Sequence, residues 1–491
     1  MQNRSVLTVD SVIESAARVA PDHVAATDAA GRMTFAELDR SSDRVAYALA
    51  ARGVTLGDRV AWWSDTSLAA LAVFGACAKT GAVFMPLNAR AGVAELSSVL
   101  AYARADLLVA GRSHLPDAAA LGDANAVQFV GADELLDNTI RTDRAWLGSR
   151  PRPSDPHVIF FTSGSTGRPK GVVLSHRTSW LRSYPGATSE AEVGGGVVCM
   201  FPLFHMAGFS IALGAWQQRR AVHFAPADAR TLLAVAEAQR AGRMYCIPAV
   251  WARILDHGVG DYDLSSLREA DTGTSATPPE LLRAIKVALP HTVTRVFYGS
   301  TEAGPASLLA DADLDRKPGS VGRPQPGCEI RLVEGEVCIR NPFLMDGYFD
   351  APGATAAALR DGWYHTGDLG VIDDEGYLSI VGRARDVIRT GGETVSPLEV
   401  EAALAGHPAI REVAVVGVPD ATWGELVTAV VVSAHDDPPT IADLRAHLDG
   451  RLAPFKHPRR VAVVDALPRT GATGQIQRTM IVERLVAGSA G

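Results

Sequence analysis

The sequence predicts an α/β protein: a large N-terminal domain of layered α/β subdomains plus a small β-rich subdomain, and a small α+β C-terminal domain. Three observations carry this expectation. At 491 residues the chain is too long for one hydrophobic core and predicts two or more domains. Helix and strand signals alternate from the N-terminus through Val222, the pattern of layered α/β architecture. From about Gly319 the texture changes to short strands and tight turns, and beyond Arg385 a new compact pattern begins. The boundary is expected at Arg383 to Asp386, dividing residues 1–383 from 384–491.

In chain order, Thr34 to Ala50 has Phe35, Leu38, Val45 and Leu49 at helical spacing and reads as an amphipathic helix. The apolar run Leu68 to Ala78 ends at Lys79 and reads as a buried helix, far short of the roughly 20 residues that span a bilayer. The Ala- and Asp-rich stretch His114 to Asp123 reads as a surface connection. Val158-Ile159-Phe160-Phe161 reads as a short buried strand, and Val293 to Phe297 as another. Gly322-Arg323-Pro324, Val333-Glu334-Gly335 and Asp374-Glu375-Gly376 punctuate the β-rich segment, which ends near Val381. The C-terminal pattern is a helix at Pro397 to Ala405, strands at Val413 to Val418 and Val427 to Val432, and a helix at Ile441 to Leu452.

Composition narrows the function classes. Hydrophobic residues make up 47% and charged residues 21%, ordinary for a soluble globular chain. The net charge of −8, with no long basic run, argues against nucleic acid or an anionic membrane as partner. Asp10, Glu14 and Arg18 interrupt the N-terminus where a signal peptide needs an apolar segment. Five cysteines, odd in number and without metal-ligand spacing, read as buried reduced thiols, so a cytoplasmic location is expected.

The most informative stretch is Phe161-Thr162-Ser163-Gly164-Ser165-Thr166-Gly167-Arg168-Pro169-Lys170-Gly171. Its glycines let the backbone curl, and its hydroxyls and one ammonium surround a polyphosphate with donors and a cation. The spacing is not the G-x-x-x-x-G-K-[ST] of P-loop proteins, since Lys170 follows a Pro and precedes a Gly. A flexible linker shares this composition, but the Pro-Lys-Gly ending is foreign to one.

This loop resembles the phosphate loop of the acyl-adenylate-forming superfamily: acyl-CoA synthetases, the adenylation domains of peptide synthetases and beetle luciferases. The family's other motifs follow in its order, from about residue 10 to residue 485. The resemblance implies a nucleotide site that includes Thr162, Ser163, Gly164, Ser165, Thr166, Gly167 and Lys170, with Thr166 also catalytic. In Tyr298-Gly299-Ser300-Thr301-Glu302 it implies that the Tyr stacks on adenine, the Thr contacts the α-phosphate and Glu302 holds Mg2+ as a catalytic ligand. Gly273, Thr274 and Ser275 match, more loosely, the loop on the other side of the adenine. In Tyr364-His365-Thr366-Gly367-Asp368 the implied role of Asp368 is to bind the ribose hydroxyls, with Ile380 and Arg383 in the same site.

Pro202-Leu203-Phe204-His205-Met206-Ala207-Gly208 and Ile247-Pro248-Ala249-Val250-Trp251 match the walls of the acyl pocket, giving His205, Met206, Gly208, Phe209, Val250 and Trp251. No fixed charge lies in these segments, so a hydrophobic acid is expected. Gly391, Gly392 and Glu393 resemble the loop that admits the CoA pantetheine arm, or they form a simple turn. Arg385 occupies the position about which the family's small C-terminal domain swings; a solvated charge is the alternative.

The closing segment Leu467-Pro468-Arg469-Thr470-Gly471-Ala472-Thr473-Gly474-Gln475-Ile476-Gln477-Arg478 departs from the family pattern. Gln475 stands where the family has the lysine that bridges carboxylate and α-phosphate during adenylation, and the preceding loop is one residue longer. The expected function is an acyl-CoA ligase that uses ATP/AMP, Mg2+ and coenzyme A. It is impaired in adenylation but competent to join an acyl-adenylate to CoA, with a separate adenylating ligase as supplier. No attached carrier domain is expected, and CoA is expected over a carrier protein as acceptor. One alternative is a complete synthetase in which Lys456, Arg469 or Arg478 replaces the lysine. Another is a binding protein without turnover, which would have no use for a hinge and a thiol tunnel.

Overall fold

The structure, a computed structural model, describes residues 7–137, 150–162, 170–184, 194–470 and 474–487. Contacts divide the chain into two compact units. The first comprises Met1–Gly319, Pro324–Glu329 and Ile339–Tyr364; the second comprises Ser320–Arg323, Ile330–Cys338 and His365–Gly491. By this measure the β-rich segment is divided between the units, with Ser320–Arg323, Ile330–Cys338 and the residues from His365 grouping with the C-terminal residues. The architecture is mixed α/β, with a large N-terminal part, a β-rich subdomain and a small C-terminal part.

Two sheets organise the first unit. One runs in the order Gly347–Tyr348, Lys170–Ser175, Pro156–Thr162, Val83–Pro86, Arg59–Trp63, Leu107–Ala110 and Gln128–Gly131. In the other, Gly304–Leu309, Val293–Ser300, Glu269–Gly273, Arg243–Tyr245, Val197–Cys199 and Val222–Phe224 lie side by side, with Val24–Asp28 and Gly31–Thr34 beyond. Most of these strands pair in parallel and read as short apolar runs, because helices cover both faces.

The helix predicted from Thr34 is Phe35–Ala51, and Thr34 caps it reciprocally with Glu37. The apolar run from Leu68 is the helix Leu68–Thr80, closed by Gly81 in the left-handed region (φ +77°). Its last lysine is buried: Lys79 Nζ donates to Asp39 Oδ1 at 2.6 Å and Asp43 Oδ1 at 2.5 Å, locking this helix to the previous one. The stretch read as a surface connection is instead the helix Leu115–Asn125, opened by Pro116. Alanine and leucine favour that conformation, and Ala118 and Leu121 pack into the core around Leu96 and Leu108. All five cysteines are buried thiols. Among the described residues, no helix is long and apolar enough to cross a membrane.

The end of the second unit is a sheet in the order Glu393–Val395, Ile388–Thr390, Gly424–Ser433 and Ile410–Asp420, with Arg460–Val463 parallel to Gly424–Ser433. Its alternation serves two cores. Val415, Val427, Ala429 and Val431 pack with Val400, Leu404, Leu444 and Leu448, whereas Ala414, Val416, Val430 and Val432 pack with Leu467 and Ile481. The predicted helices appear as Pro397–Leu404 and Ile441–Leu448.

Candidate functional site

The phosphate-loop motif is framed by the antiparallel strands Pro156–Thr162 and Lys170–Ser175, where Thr162 pairs with Lys170. Ser163, Gly164, Ser165, Thr166 and Gly167 lie outside the described residues. The tie between the loop's two ends places Lys170 at the start of a strand, close to Tyr348: its Nζ sits 4.9 Å from that ring's centre.

Tyr298, Gly299 and Ser300 end the strand Val293–Ser300, which turns back through Thr301 and Glu302 into Gly304–Leu309. This turn is held from outside by a residue that sequence reasoning missed. Arg182, on the helix His176–Ser183, donates through Nη1 to Thr301 O at 2.6 Å, through Nη2 to Glu302 O at 2.8 Å, and through Nε to Phe343 O at 2.9 Å. One rigid guanidinium fork thus fixes the backbone of the two residues assigned to phosphate and metal. Burial pulls its pKa down to about 10, against Glu302, Asp346 and Tyr364, so it stays charged at neutral pH. Gly304 (φ +70°) makes the approach possible, since a Cβ there would stand 3.0 Å from Arg182 Nε.

The Glu302 side chain accepts a hydrogen bond from Tyr348 OH through Oε1 at 3.0 Å. A carboxylate so oriented fits a hard divalent cation, which takes oxygen ligands.

The strand Glu269–Gly273 delivers Gly273, Thr274 and Ser275 beside the Tyr298 strand. Upstream, Asp271 is fully buried between Arg243 (2.6 Å) and Arg295 (2.8 Å). Burial pushes its carboxyl up, but the two guanidinium groups outweigh burial and hold it below the usual carboxylate range. Thr274 is left-handed, at φ +67°. A β-branched residue there costs about 1–2 kcal/mol, and strain of this kind gathers at ligand sites. Thr274→Gly is expected to raise stability by about 1 kcal/mol while loosening the loop and weakening AMP affinity. Thermal melts and calorimetry check the two effects; unchanged melting would show that the backbone is relaxed.

The residues assigned to the acyl walls separate into two groups. His205 caps the helix Met206–Gln217, its Nδ1 accepting from Ala207 N at 3.2 Å, and stacks on Phe201. Burial lowers its pKa to about 4, so the ring is neutral at pH 7 and carries its proton on Nε2. His205 and Met206 keep accessible surface, whereas Gly208 is buried in the first turn of that helix. Phe209, Val250 and Trp251 are sealed in the core. Phe209 stacks on Phe74 at 4.4 Å, and the Trp251 indole donates to Asp271 O at 2.8 Å. These contacts give Phe209 and Trp251 a packing role, and Val250 is buried with them.

In the second unit Asp368 faces Arg383 across the strands Trp363–Ile372 and Leu378–Arg383, with Arg383 Nε 2.9 Å from Asp368 Oδ1. Ile380 lies opposite Gly370 in the same ladder. The turn into Asp368 is braced by Glu336, whose Oε1 accepts from Gly367 N (2.9 Å) and whose Oε2 pairs with His365 Nδ1 (2.8 Å). Cys338 lies 3.3 Å from the same imidazole, so the three side chains form one hydrogen-bonded cluster. Arg385 is exposed and lies 3.5 Å from Asp386. Gly391 (φ +60°) and Gly392 (φ +85°) form the two-residue turn joining Ile388–Thr390 to Glu393–Val395. A turn with two positive φ angles demands glycine by itself, so these residues carry no independent signal for CoA.

Gln475 is exposed, and its backbone closes a loop with Thr470 through Thr470 N to Gln475 O (2.8 Å) and Gln475 N to Thr470 Oγ1 (3.1 Å). The three cations considered as substitutes are all engaged. Lys456 pairs with Glu399 (2.5 Å), Arg478 with Glu401 (2.6 Å), and Arg469 with Glu412.

Comparison with known proteins agrees with the motif order. The AMP-binding enzyme family matches residues 13–349, and the AMP-binding enzyme C-terminal domain matches 399–473. A feruloyl-CoA synthase of an Amycolatopsis species is 35% identical over 483 residues, covering 94% of this chain and 97% of the relative. An indoleacetate–CoA ligase of Aromatoleum aromaticum is 34% identical, covering 93% of each chain. The solved o-succinylbenzoate CoA synthetase of Bacillus subtilis, in complex with its acyl-adenylate intermediate, superposes with a TM-score of 0.87 at 26% identity. That match covers 96% of this chain and 97% of the other.

Proposed function

The chain belongs to the AMP-binding enzyme family, and on that premise we propose that it converts an acyl-adenylate and CoA into an acyl-CoA while adenylating free acid poorly. In the family's first step a carboxylate oxygen attacks the α-phosphorus of ATP, forming the acyl-adenylate and releasing pyrophosphate. In the second, the CoA thiol attacks the acyl carbon, giving the thioester and releasing AMP.

The observation that carries the reading is Gln475 in place of the first step's lysine, with Lys456, Arg469 and Arg478 each tied to a carboxylate. Thr301 and Glu302 are read as the α-phosphate and metal residues, Asp368 and Arg383 as the ribose pair, and Arg385 as the hinge at a 383/384 boundary. Mg2+ held by Glu302 would spread the negative charge of the phosphates. Thr166 and its neighbours complete the phosphate site in this reading, and Gly391 to Glu393 belong to the CoA path.

The acid is read as hydrophobic. Relatives named for feruloyl and indoleacetyl substrates support this, as does the lack of Asp, Glu, Lys or Arg within the segments Pro202 to Gly208 and Ile247 to Trp251. The neutral His205, with its proton on Nε2, is suited to donate to a carboxylate oxygen. A separate adenylating ligase would supply the intermediate. The relatives' names, which are those of CoA synthases and ligases, favour a complete synthetase as second reading. Pyrophosphate release from acid and ATP, measured beside CoA-ester formation from supplied adenylate, separates the two.

The nucleotide assignment has its own test. Asp368→Asn is expected to weaken AMP binding by about 10- to 100-fold, the worth of a hydrogen bond to a charged acceptor. Arg383 is 45% exposed, so the substitution strands no buried charge and folding should hold. Unchanged AMP affinity by calorimetry would remove Asp368 from the ribose site.

A further inference from the structure

Tyr348 stands between two opposite charges that do not pair with each other. It belongs to the short strand Gly347–Tyr348, which pairs with Lys170–Ser175 so that Tyr348 faces Val172. Its backbone is fixed on both sides: Tyr348 N donates to Thr355 Oγ1 at 2.9 Å, and Phe349 N donates to Gly171 O at 2.7 Å. The main chain that carries the side chain is therefore held in place. Its hydroxyl donates to Glu302 Oε1 at 3.0 Å, and its ring lies under the Lys170 ammonium at 4.9 Å. Among the described residues, neither Lys170 nor Glu302 enters an ion pair, although a tyrosine joins them.

We propose that Tyr348 is a positioning residue that holds Glu302 ready for a divalent cation and keeps Lys170 apart from it, available to phosphate. The proposal rests on the reading of Glu302 as the metal carboxylate. One tyrosine can meet both demands because it offers different chemistry at its two parts. The ring face attracts the cation without neutralising it, and the hydroxyl binds carboxylate oxygen Oε1 and not Oε2. Without it, a lysine and a glutamate this close to a common partner would collapse into a direct ion pair, and both binding groups would be lost together. The neighbouring Arg182 fork fixes the Glu302 backbone; Tyr348 fixes its carboxylate.

The test uses Mn2+ as a spectroscopic probe of the metal site in the full-length protein with ATP. In Tyr348→Phe the ring face is kept and the hydroxyl lost. Its Mn2+ dissociation constant should rise about 10-fold or more, while ATP affinity in EDTA stays at the wild-type value. Its rate, in whichever half-reaction requires metal, should recover as Mg2+ is raised. Tyr348→Leu should lose metal-free ATP affinity as well, because Lys170 loses its ring. Glu302→Gln is the control. If it abolishes Mn2+ binding while Tyr348→Phe leaves it intact, the positioning role is overturned and the metal reading stands. If Glu302→Gln itself binds Mn2+ normally, the metal reading falls and the proposal with it. A Tyr348→Phe protein weakened equally with and without metal would also overturn the proposal, since that is the mark of general damage to the site.

Discussion

Gln475→Lys is expected to raise pyrophosphate release from free acid and ATP towards the about 10²–10³-fold that one preorganised donor contributes to a transition state. As the carboxylate approaches the α-phosphorus, negative charge accumulates on oxygens of both groups. A lysine ammonium neutralises it; glutamine offers a neutral and shorter donor. The difference grows in a water-poor site, where charge interactions are less screened. Recovery is expected to be partial, because the loop before Gln475 is one residue longer than the family pattern. Its two ends are already joined by the Thr470–Gln475 hydrogen bonds beside the Arg469–Ile476 bridge, which holds position 475 despite the extra residue. CoA-ester formation from supplied adenylate should not change, because the lysine serves only the first step. Brisk wild-type pyrophosphate release, with no gain in the variant, would show that another cation performs this task. Lys456, Arg469 or Arg478 would then have to leave its carboxylate, and the chain would be a complete synthetase.

The parts of the fold legible in the sequence were those whose signal is local. The helix from Phe35 has its cap and period within a few residues, and the strands Ile410–Asp420 and Gly424–Ser433 alternate to serve two cores. Leu115–Asn125 was misread because alanine, aspartate and glycine are shared by surface connections and by helices, and only its packing decides. The same ambiguity affects the acyl walls. Short apolar runs such as Ile247 to Trp251 look alike whether they line a pocket or fill a core, and Trp251 proves to be fully buried. Gly391-Gly392 was legible as a turn but not as a functional loop, since the hairpin alone requires both glycines. Arg182 and Tyr348 escaped notice for another reason. Each acts on Glu302 from a distant stretch of chain, and nothing beside an arginine on a helix distinguishes a buried clamp from a solvated charge.

Arg182 is therefore the residue whose loss should do most damage to the first unit. In Arg182→Met the carbonyls of Thr301, Glu302 and Phe343 lose their donor at once, in a place where water does not readily replace it. Leaving one buried polar group unsatisfied costs about 1–3 kcal/mol, so stability is expected to fall by about 3–5 kcal/mol after partial relaxation. Arg182→Lys should recover little of this. An ammonium keeps the charge, but it is a point donor and cannot span three carbonyls in the plane of a guanidinium. Function should fall further than stability, because the relaxation displaces the Thr301–Glu302 turn itself. At a temperature where the lysine variant is folded, nucleotide affinity with metal should drop about 10-fold or more, whereas the Asp271 brace and the second unit should be untouched. Thermal melts and nucleotide titrations read the two effects separately. Wild-type affinity in a folded Arg182→Lys protein would mean that the turn keeps its shape unaided, and that Arg182 serves packing rather than the site.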